Sequence, residues 1–190
     1  MLKLKAAALA LILAAGLGAC ADGRVAFGPV TGSYEIMLDG DAWETAESQS
    51  NQQLLLIHEG REDMTHGLFL VVDYYRKSEL AGLGAHDFES FIRFFKTFST
   101  VMEVYENEEN SVHDLLALAP RDIRGSSATS GKRQQVSLGG GEPGRQIIME
   151  YIFLETEYYY FALHYSADAA NFNQAQELVG DVVRNIRVLK

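Results

Sequence analysis

Alternation of apolar and polar side chains predicts strands in the first half of the chain. The segment Tyr34 to Leu38 alternates and stops at Asp39-Gly40-Asp41, which is typical of a turn. Gln53 to His58 and Leu68 to Tyr75 are predicted to be further strands. The last of these is apolar on both faces apart from Asp73, so we expect it to be covered on both sides of a sheet.

Two later segments change to a spacing of three and four residues, which predicts amphipathic helices. The first begins after Asp87, a residue suited to be the N-cap, and the second begins after Asp168 or Asn171. The first apolar stripe contains Phe88, Phe91, Ile92, Phe95, Phe98 and Met102. The second contains Phe172, Ala175, Leu178, Val179, Val182, Val183 and Ile186.

Between these helices the chain returns to strand patterns. Lys132 to Leu138, Gln146 to Leu154 and Tyr158 to Tyr165 are predicted strands, and the last two are separated only by Glu155-Thr156-Glu157, which favours an antiparallel hairpin. The glycine-rich stretch from Gly139 to Gly144 is predicted to be a loop. We therefore expect an α+β fold, with a mostly antiparallel sheet covered by helices in an α/β/α sandwich.

The N-terminus has the layout of an export signal. Lys3 and Lys5 precede an apolar run from Ala6 to Ala19, which is shorter than the roughly 20 residues that a membrane-spanning helix requires. The segment Leu17-Gly18-Ala19-Cys20 resembles the lipobox of bacterial lipoproteins. That resemblance implies cleavage before Cys20, the only cysteine of the chain, and acylation of its thiol and new amino terminus. The alternative is an ordinary secretory signal with an incidental cysteine.

This interpretation divides the chain into a signal peptide at 1–19, a lipidated tether at 20–32 and a single domain at 33–190. Cleavage would remove two basic residues and no acidic one, which leaves a net charge of -12. We expect repulsion from anionic lipid to hold the body away from the bilayer on the tether. Ala21 stands where the enteric sorting rule places the aspartate that retains lipoproteins at the inner membrane, so the outer membrane, facing the periplasm, is expected.

The amino-acid composition excludes several classes of protein. The 190 residues are 47% hydrophobic and 22% charged with three prolines, which excludes a disordered, collagen-like or multi-spanning membrane protein. Acidic residues outnumber basic ones by 26 to 16, and the net charge of -10 argues against a nucleic-acid binder.

No motif in the sequence predicts a catalytic, metal or cofactor site. Gly139, Gly141 and Gly144 formally satisfy a dinucleotide-binding pattern, but a strand follows them where that pattern needs a helix. Asp39 and Asp41 lack the regular loop of a calcium site. The five histidines show no ligand spacing; they are His58, His66, His86, His113 and His164. We therefore expect no metal and no cofactor.

The order of the predicted elements is similar to that of the PsbP-like fold. This fold is shared by the photosystem II extrinsic protein, a Ran-binding nuclear-import factor and bacterial lipoproteins of the DcrB type. The resemblance rests on Tyr34-Glu35-Ile36 to Trp43, on Ile123-Arg124-Gly125 and on the aromatic run from Tyr158 to Ala167. It implies a binding or assembly role without a common active site.

One face of the last predicted strand carries Tyr158, Tyr160 and His164. Tyrosines that remain exposed serve recognition, whereas buried ones pack under a helix, and packing is the simpler expectation here. We expect a non-enzymatic envelope protein that binds another envelope protein. The alternatives are an envelope hydrolase that uses His58, His113 or His164, and a carrier of a small apolar ligand.

Overall fold

The computed structural model describes residues 23–29, 31–46, 52–59, 67–98, 102–139 and 145–189. The expected signal peptide, Cys20, His66 and residues 140–144 of the glycine-rich loop lie outside these ranges.

The described residues form eleven strands and five helices joined by turns and irregular segments. The strands are β1 (Arg24–Phe27), β2 (Tyr34–Asp39), β3 (Trp43–Ala46), β4 (Gln53–His58), β5 (Leu68–Arg76), β6 (Ser111–Val112), β7 (Leu116–Ala117), β8 (Ser130–Leu138), β9 (Ile147–Glu155), β10 (Tyr159–Asp168) and β11 (Ile186–Val188). The helices are α1 (Lys77–Ala81), α2 (Phe88–Phe98), α3 (Met102–Glu106), α4 (Pro120–Ile123) and α5 (Phe172–Arg184).

The strands pair into two antiparallel sheets. The larger has the order β3-β4-β5-β10-β9-β8-β6, with β7 also paired to β8, and the smaller has the order β1-β2-β11. β9 and β10 form the expected hairpin, in which Tyr160 lies opposite Glu155 and Asp168 opposite Ile147. β10 also pairs with β5 along seven residues, so the strands with apolar side chains on both faces lie in the middle of the sheet.

Helices and the smaller sheet cover the two faces of the large sheet. On one face the α2 side chains Phe91 and Phe95 pack with Tyr151, Phe153 and Tyr160. On the other face, α5 and the strands β2 and β11 bury a second cluster. The α+β fold with helices on both sides of a mostly antiparallel sheet is confirmed.

The start of α2 follows the sequence prediction. The Asp87 carboxylate accepts a hydrogen bond from the Ser90 amide at 2.7 Å, and the Asp87 amide donates one to the Ser90 hydroxyl. The described part of α2 extends to Phe98, which is 74% exposed, and α3 is described from Met102, which is 38% exposed; residues 99–101 lie outside the described ranges. The predicted apolar stripe is therefore buried from Phe88 to Phe95, whereas Phe98 and Met102 at its end are exposed.

Two segments that were predicted to be a tether and the end of a helix form strands instead. β1 lies within the range expected to be a tether, 20–32, and Ile186 begins β11 instead of ending the last helix. Both strands are short edges that pair with β2. Because three or four residues carry too little periodicity, only pairing with a distant segment defines such strands.

Candidate functional site

The three residues that were expected to share a face lie in different environments. Tyr158 is 44% exposed, whereas Tyr160 is 2% exposed. The His164 side chain is 16% exposed and lies further along β10. They do not form one continuous surface.

Tyr160 belongs to the core. Its ring stacks on the rings of Phe91 and Phe88, with centroid distances of 4.7 Å and 5.9 Å, and the Lys77 ammonium lies 4.7 Å from its centroid. Burial raises the pKa of its hydroxyl. The simpler expectation, packing under a helix, is confirmed for this residue.

Tyr158 lies in a surface cleft at one end of the large sheet, which we call the Tyr158 cleft. It has a volume of about 540 Å³. It forms where β5 passes into α1 beside the β9–β10 turn, and the Lys77 amide donates a hydrogen bond to the Tyr158 carbonyl at 3.0 Å. The residues that line it are Arg76, Lys77, Ser78, Glu157, Tyr158, Tyr159 and Leu189.

Charged groups surround the apolar part of this cleft. The Arg76 guanidinium donates a hydrogen bond to the Tyr159 hydroxyl at 3.3 Å, and this bond lowers the pKa of Tyr159. Lys77 donates to the Glu155 carboxylate at 2.8 Å. A hydrogen bond to Glu157 raises the pKa of Tyr158. The cleft therefore joins an exposed aromatic ring to an exposed guanidinium whose contact with Tyr159 orients it.

His164 lies beside a carboxylate. Its Nε2 is 3.4 Å from Oδ2 of Asp73, its ring stacks on Tyr151 at 5.6 Å, and the Gln53 amide donates to Oδ1 of Asp73 at 3.0 Å. Within the described ranges, no serine, threonine or cysteine forms a hydrogen bond with the His164 ring. Among the described residues, the pair thus has a base and a carboxylate without a nucleophile beside them.

The described residues cover the large sheet incompletely near His164. Strand register places Val71 opposite both His164 and Leu55, so the three side chains share the face on which α2 packs. Phe69, on the same face and opposite Ile57, is 47% exposed. We call Leu55, Ile57, Phe69 and Val71 the open sheet face.

The other described histidines are separate. His58 is buried against Trp43, with ring centroids 4.8 Å apart. His113 is exposed, and its Nε2 lies 3.0 Å from the Ser137 hydroxyl. In the part of the chain that the structure describes, no group of three His, Cys, Asp or Glu side chains could hold a metal ion.

The sequence analysis missed a buried polar cluster around Glu150. Its side chain is fully buried; Oε2 accepts a hydrogen bond from the Tyr165 hydroxyl at 2.8 Å. Oε1 accepts bonds from Gln176 at 2.9 Å and Gln135 at 3.2 Å. Arg133 lies 3.8 Å from the same oxygen. The available signal was a single glutamate inside the apolar run of β9.

A second surface cleft lies beside this cluster. It has a volume of about 680 Å³ and lies between α4, α5, β7 and β8. Arg133 lies 3.6 Å from Asp122 of α4 and also contacts Glu150, so it connects the cleft wall to the buried carboxylate. Arg121 and Arg133 pair with Asp122, and Arg184 pairs with Asp181, which indicates a structural network.

Comparison with solved structures places the chain among proteins of known fold. A point mutant of the protein Mog1 matches with a TM-score of 0.54 and 9% identity over 88% of this chain and 96% of that one. The Ran-binding protein Mog1p of Saccharomyces cerevisiae matches with a TM-score of 0.51 and 9% identity, over 87% and 95%. The cyanobacterial PsbP of Synechocystis sp. PCC 6803 matches with a TM-score of 0.51 and 14% identity, over 93% and 99%.

These similarities show that the chain has the PsbP-like fold. At these identities they establish the fold alone. No family model and no curated protein matches the sequence. Of the helices in the described ranges, none combines the length and the apolar character needed to cross a membrane.

Proposed function

We propose that this protein is a lipid-anchored component of a bacterial cell envelope whose folded domain is a non-enzymatic binding or assembly module. The lipobox-like segment Leu17 to Cys20 supports the anchor, because the only cysteine stands at the expected cleavage point. Ala21 favours the outer membrane, with the domain in the periplasm.

The observation that carries the binding role is the Tyr158 cleft. Tyrosine and arginine are enriched among the residues that contribute most to protein interfaces, and Tyr158 and Arg76 present both types at one cleft. Leu189, which is also exposed, adds apolar surface. These groups suit an envelope protein that inserts an apolar side chain beside Tyr158 and offers a carbonyl or carboxylate oxygen to Arg76.

The fold is compatible with such a role. The Saccharomyces cerevisiae neighbour is described as a Ran-binding protein, so this architecture serves protein binding in at least that case. The partner does not transfer to this chain, because a fold hosts many functions and the binding residues must be established separately.

The two alternatives have less support. A hydrolase would use the His164–Asp73 pair, but this pair lacks a hydrogen-bonded hydroxyl or thiol in the described residues. A carrier of a small apolar ligand would need to enclose its ligand, whereas the Tyr158 cleft lies at the surface and has charged residues around it.

Crosslinking of the intact lipoprotein in its own cells tests this proposal. We expect one reproducible envelope protein to be recovered with the natural chain and its recovery to fall about five- to thirtyfold with Tyr158→Ala, because an interface anchor contributes about 1–2 kcal/mol.

Phe69→Ala is the matched control, since Phe69 is exposed to a similar extent but lies on the open sheet face. With Phe69→Ala, the recovery of the partner protein should be unchanged. Two results would contradict binding at the Tyr158 cleft. One is that Tyr158→Ala recovers as much partner protein as the natural chain, and the other is that only Phe69→Ala loses the partner.

A further inference from the structure

The folded body begins very close to the proposed lipidation site. All four residues of β1 pair with β2, from Arg24 opposite Asp39 to Phe27 opposite Ile36. The Gly40 amide donates a hydrogen bond to the Gly23 carbonyl at 3.2 Å, and the Arg24 guanidinium donates one to the Asn185 side chain at 3.3 Å. The chain is therefore attached to the domain from Gly23 onwards.

Covalent geometry limits the distance between Cys20 and this attachment. Four Cα–Cα steps separate Cys20 from Arg24. A chain gains at most about 3.6 Å per residue, so these Cα atoms are at most about 14 Å apart in any conformation. The attached end of the domain therefore stays within about 14 Å of the Cα atom of Cys20.

The position of β1 also determines which part of the domain is near the anchor. Gly23 contacts the turn Asp39-Gly40-Asp41 at the end of β2. At the beginning of β2, the Ser33 carbonyl accepts a hydrogen bond from the Leu189 amide at 3.0 Å, and Leu189 lines the Tyr158 cleft. The six residues of β2 span about 17 Å, which separates the two ends.

We infer that the domain lies directly against the lipid surface, with the Asp39–Asp41 turn next to the headgroups and the Tyr158 cleft facing the aqueous compartment. This inference rests on the proposed acylation of Cys20. It replaces the expectation that a tether of residues 20–32 holds the body away from the bilayer.

The orientation has consequences for binding. A partner would reach the Tyr158 cleft from the aqueous side without displacing lipid. Asp39 and Asp41 place two exposed carboxylates at the lipid-facing end, with Arg24 as the neighbouring cation. Zwitterionic headgroups would be tolerated there better than anionic ones, because like charges repel.

Fluorescence quenching in vesicles tests the orientation. The acylated full chain is reconstituted into phosphatidylcholine vesicles that contain a lipid with a nitroxide on its headgroup. A fluorophore is attached at Asp41→Cys or, in a second variant, at Ser78→Cys in the Tyr158 cleft. Each reporter thiol is unique, because Cys20 is the only natural cysteine and acylation blocks its sulfur.

We expect severalfold stronger quenching at position 41 than at position 78. Insertion of ten glycine and serine residues between Asp22 and Gly23 should remove most of this difference. Equal quenching at the two positions, stronger quenching at position 78, or a difference that the insertion leaves unchanged would overturn the inference.

The same preparations separate the two proposals. Failure of the natural chain to enter the vesicles, together with a reactive Cys20 thiol, would refute acylation and the orientation with it. An acylated, vesicle-bound protein with equal quenching at both positions would refute the orientation alone.

Discussion

Glu150 shows how a single buried charge organises residues from distant parts of the chain. Tyr165, Gln135 and Gln176 donate hydrogen bonds to its carboxylate, and Arg133 lies close by. A buried charge is costly unless such partners compensate for lost water. Burial raises the pKa of Tyr165, and so does the adjacent Glu150, so its hydroxyl stays protonated and continues to donate at neutral pH.

Tyr165→Phe should lower the free energy of unfolding by about 1.5–3 kcal/mol, the usual contribution of a hydrogen bond to a charged group. Tyr34→Phe is the control: the Tyr34 hydroxyl is equally buried and has no hydrogen-bond partner among the described residues. Its removal should be neutral or slightly stabilising. Denaturant unfolding measures both changes, and equal effects would show that the Glu150 cluster does not depend on Tyr165.

At the scale of elements, α2 is held to the sheet by one aromatic face. Phe95 is fully buried between Tyr151, Phe153 and Tyr75, whereas Phe98, one turn later, is exposed. The helix therefore contains both a core phenylalanine and a surface one.

Phe95→Ala should destabilise the protein by about 3–5 kcal/mol, since it removes a large core side chain and leaves a cavity. Phe98→Ala, the same substitution on the exposed part of the helix, should change stability by no more than about 0.5 kcal/mol. Thermal or denaturant unfolding compares them. A similar loss for both variants would contradict the burial of only one face.

Among the elements, the regular ones were predictable and the short ones were not. β4 has the bounds that its pattern predicts, and the start of α2 was correctly identified from Asp87. β1 and β11 were missed because each becomes a strand by pairing with β2. Local periodicity contains no information about such a partner.

At the scale of the whole molecule, the acidic body disfavours attachment to an anionic membrane, whereas the proposed anchor favours it. The expected mature chain carries a net charge of -12, which does not favour attachment to an anionic membrane. Under the proposed anchoring, membrane association depends on the acyl chains, each of which contributes about 0.8 kcal/mol per buried methylene.

Cys20→Ser should release the protein from membranes or leave an uncleaved precursor, because the hydroxyl does not replace the thiol that is acylated. Ala21→Ser, which keeps the thiol, should remain membrane-bound. Fractionation with and without detergent, followed by mass measurement of the N-terminal peptide, distinguishes these results. Unchanged detergent-dependent fractionation of Cys20→Ser would contradict lipid anchoring.

The candidate site was only partly accessible from sequence. Tyr158, Tyr160 and His164 were grouped because side chains alternate along a strand, and that alternation holds for Tyr160 and His164 in β10. Coverage by α2 then buries Tyr160, while Tyr158 lies at the turn beside Arg76 and Leu189. Coverage by a helix that is distant in sequence depends on packing. The alternation of side chains could therefore not show that Tyr160 is buried and Tyr158 exposed.

The sequence by itself determined the mostly antiparallel α+β architecture, the hairpin of β9 and β10 and the location of the proposed anchor, because each depends on residues close together in the chain. Only the tertiary structure decided the Glu150 cluster, the Tyr158 cleft and the pairing of β1 with β2 from Arg24 onwards. These features arise where residues far apart in sequence meet, and long-range packing and strand pairing determine those contacts.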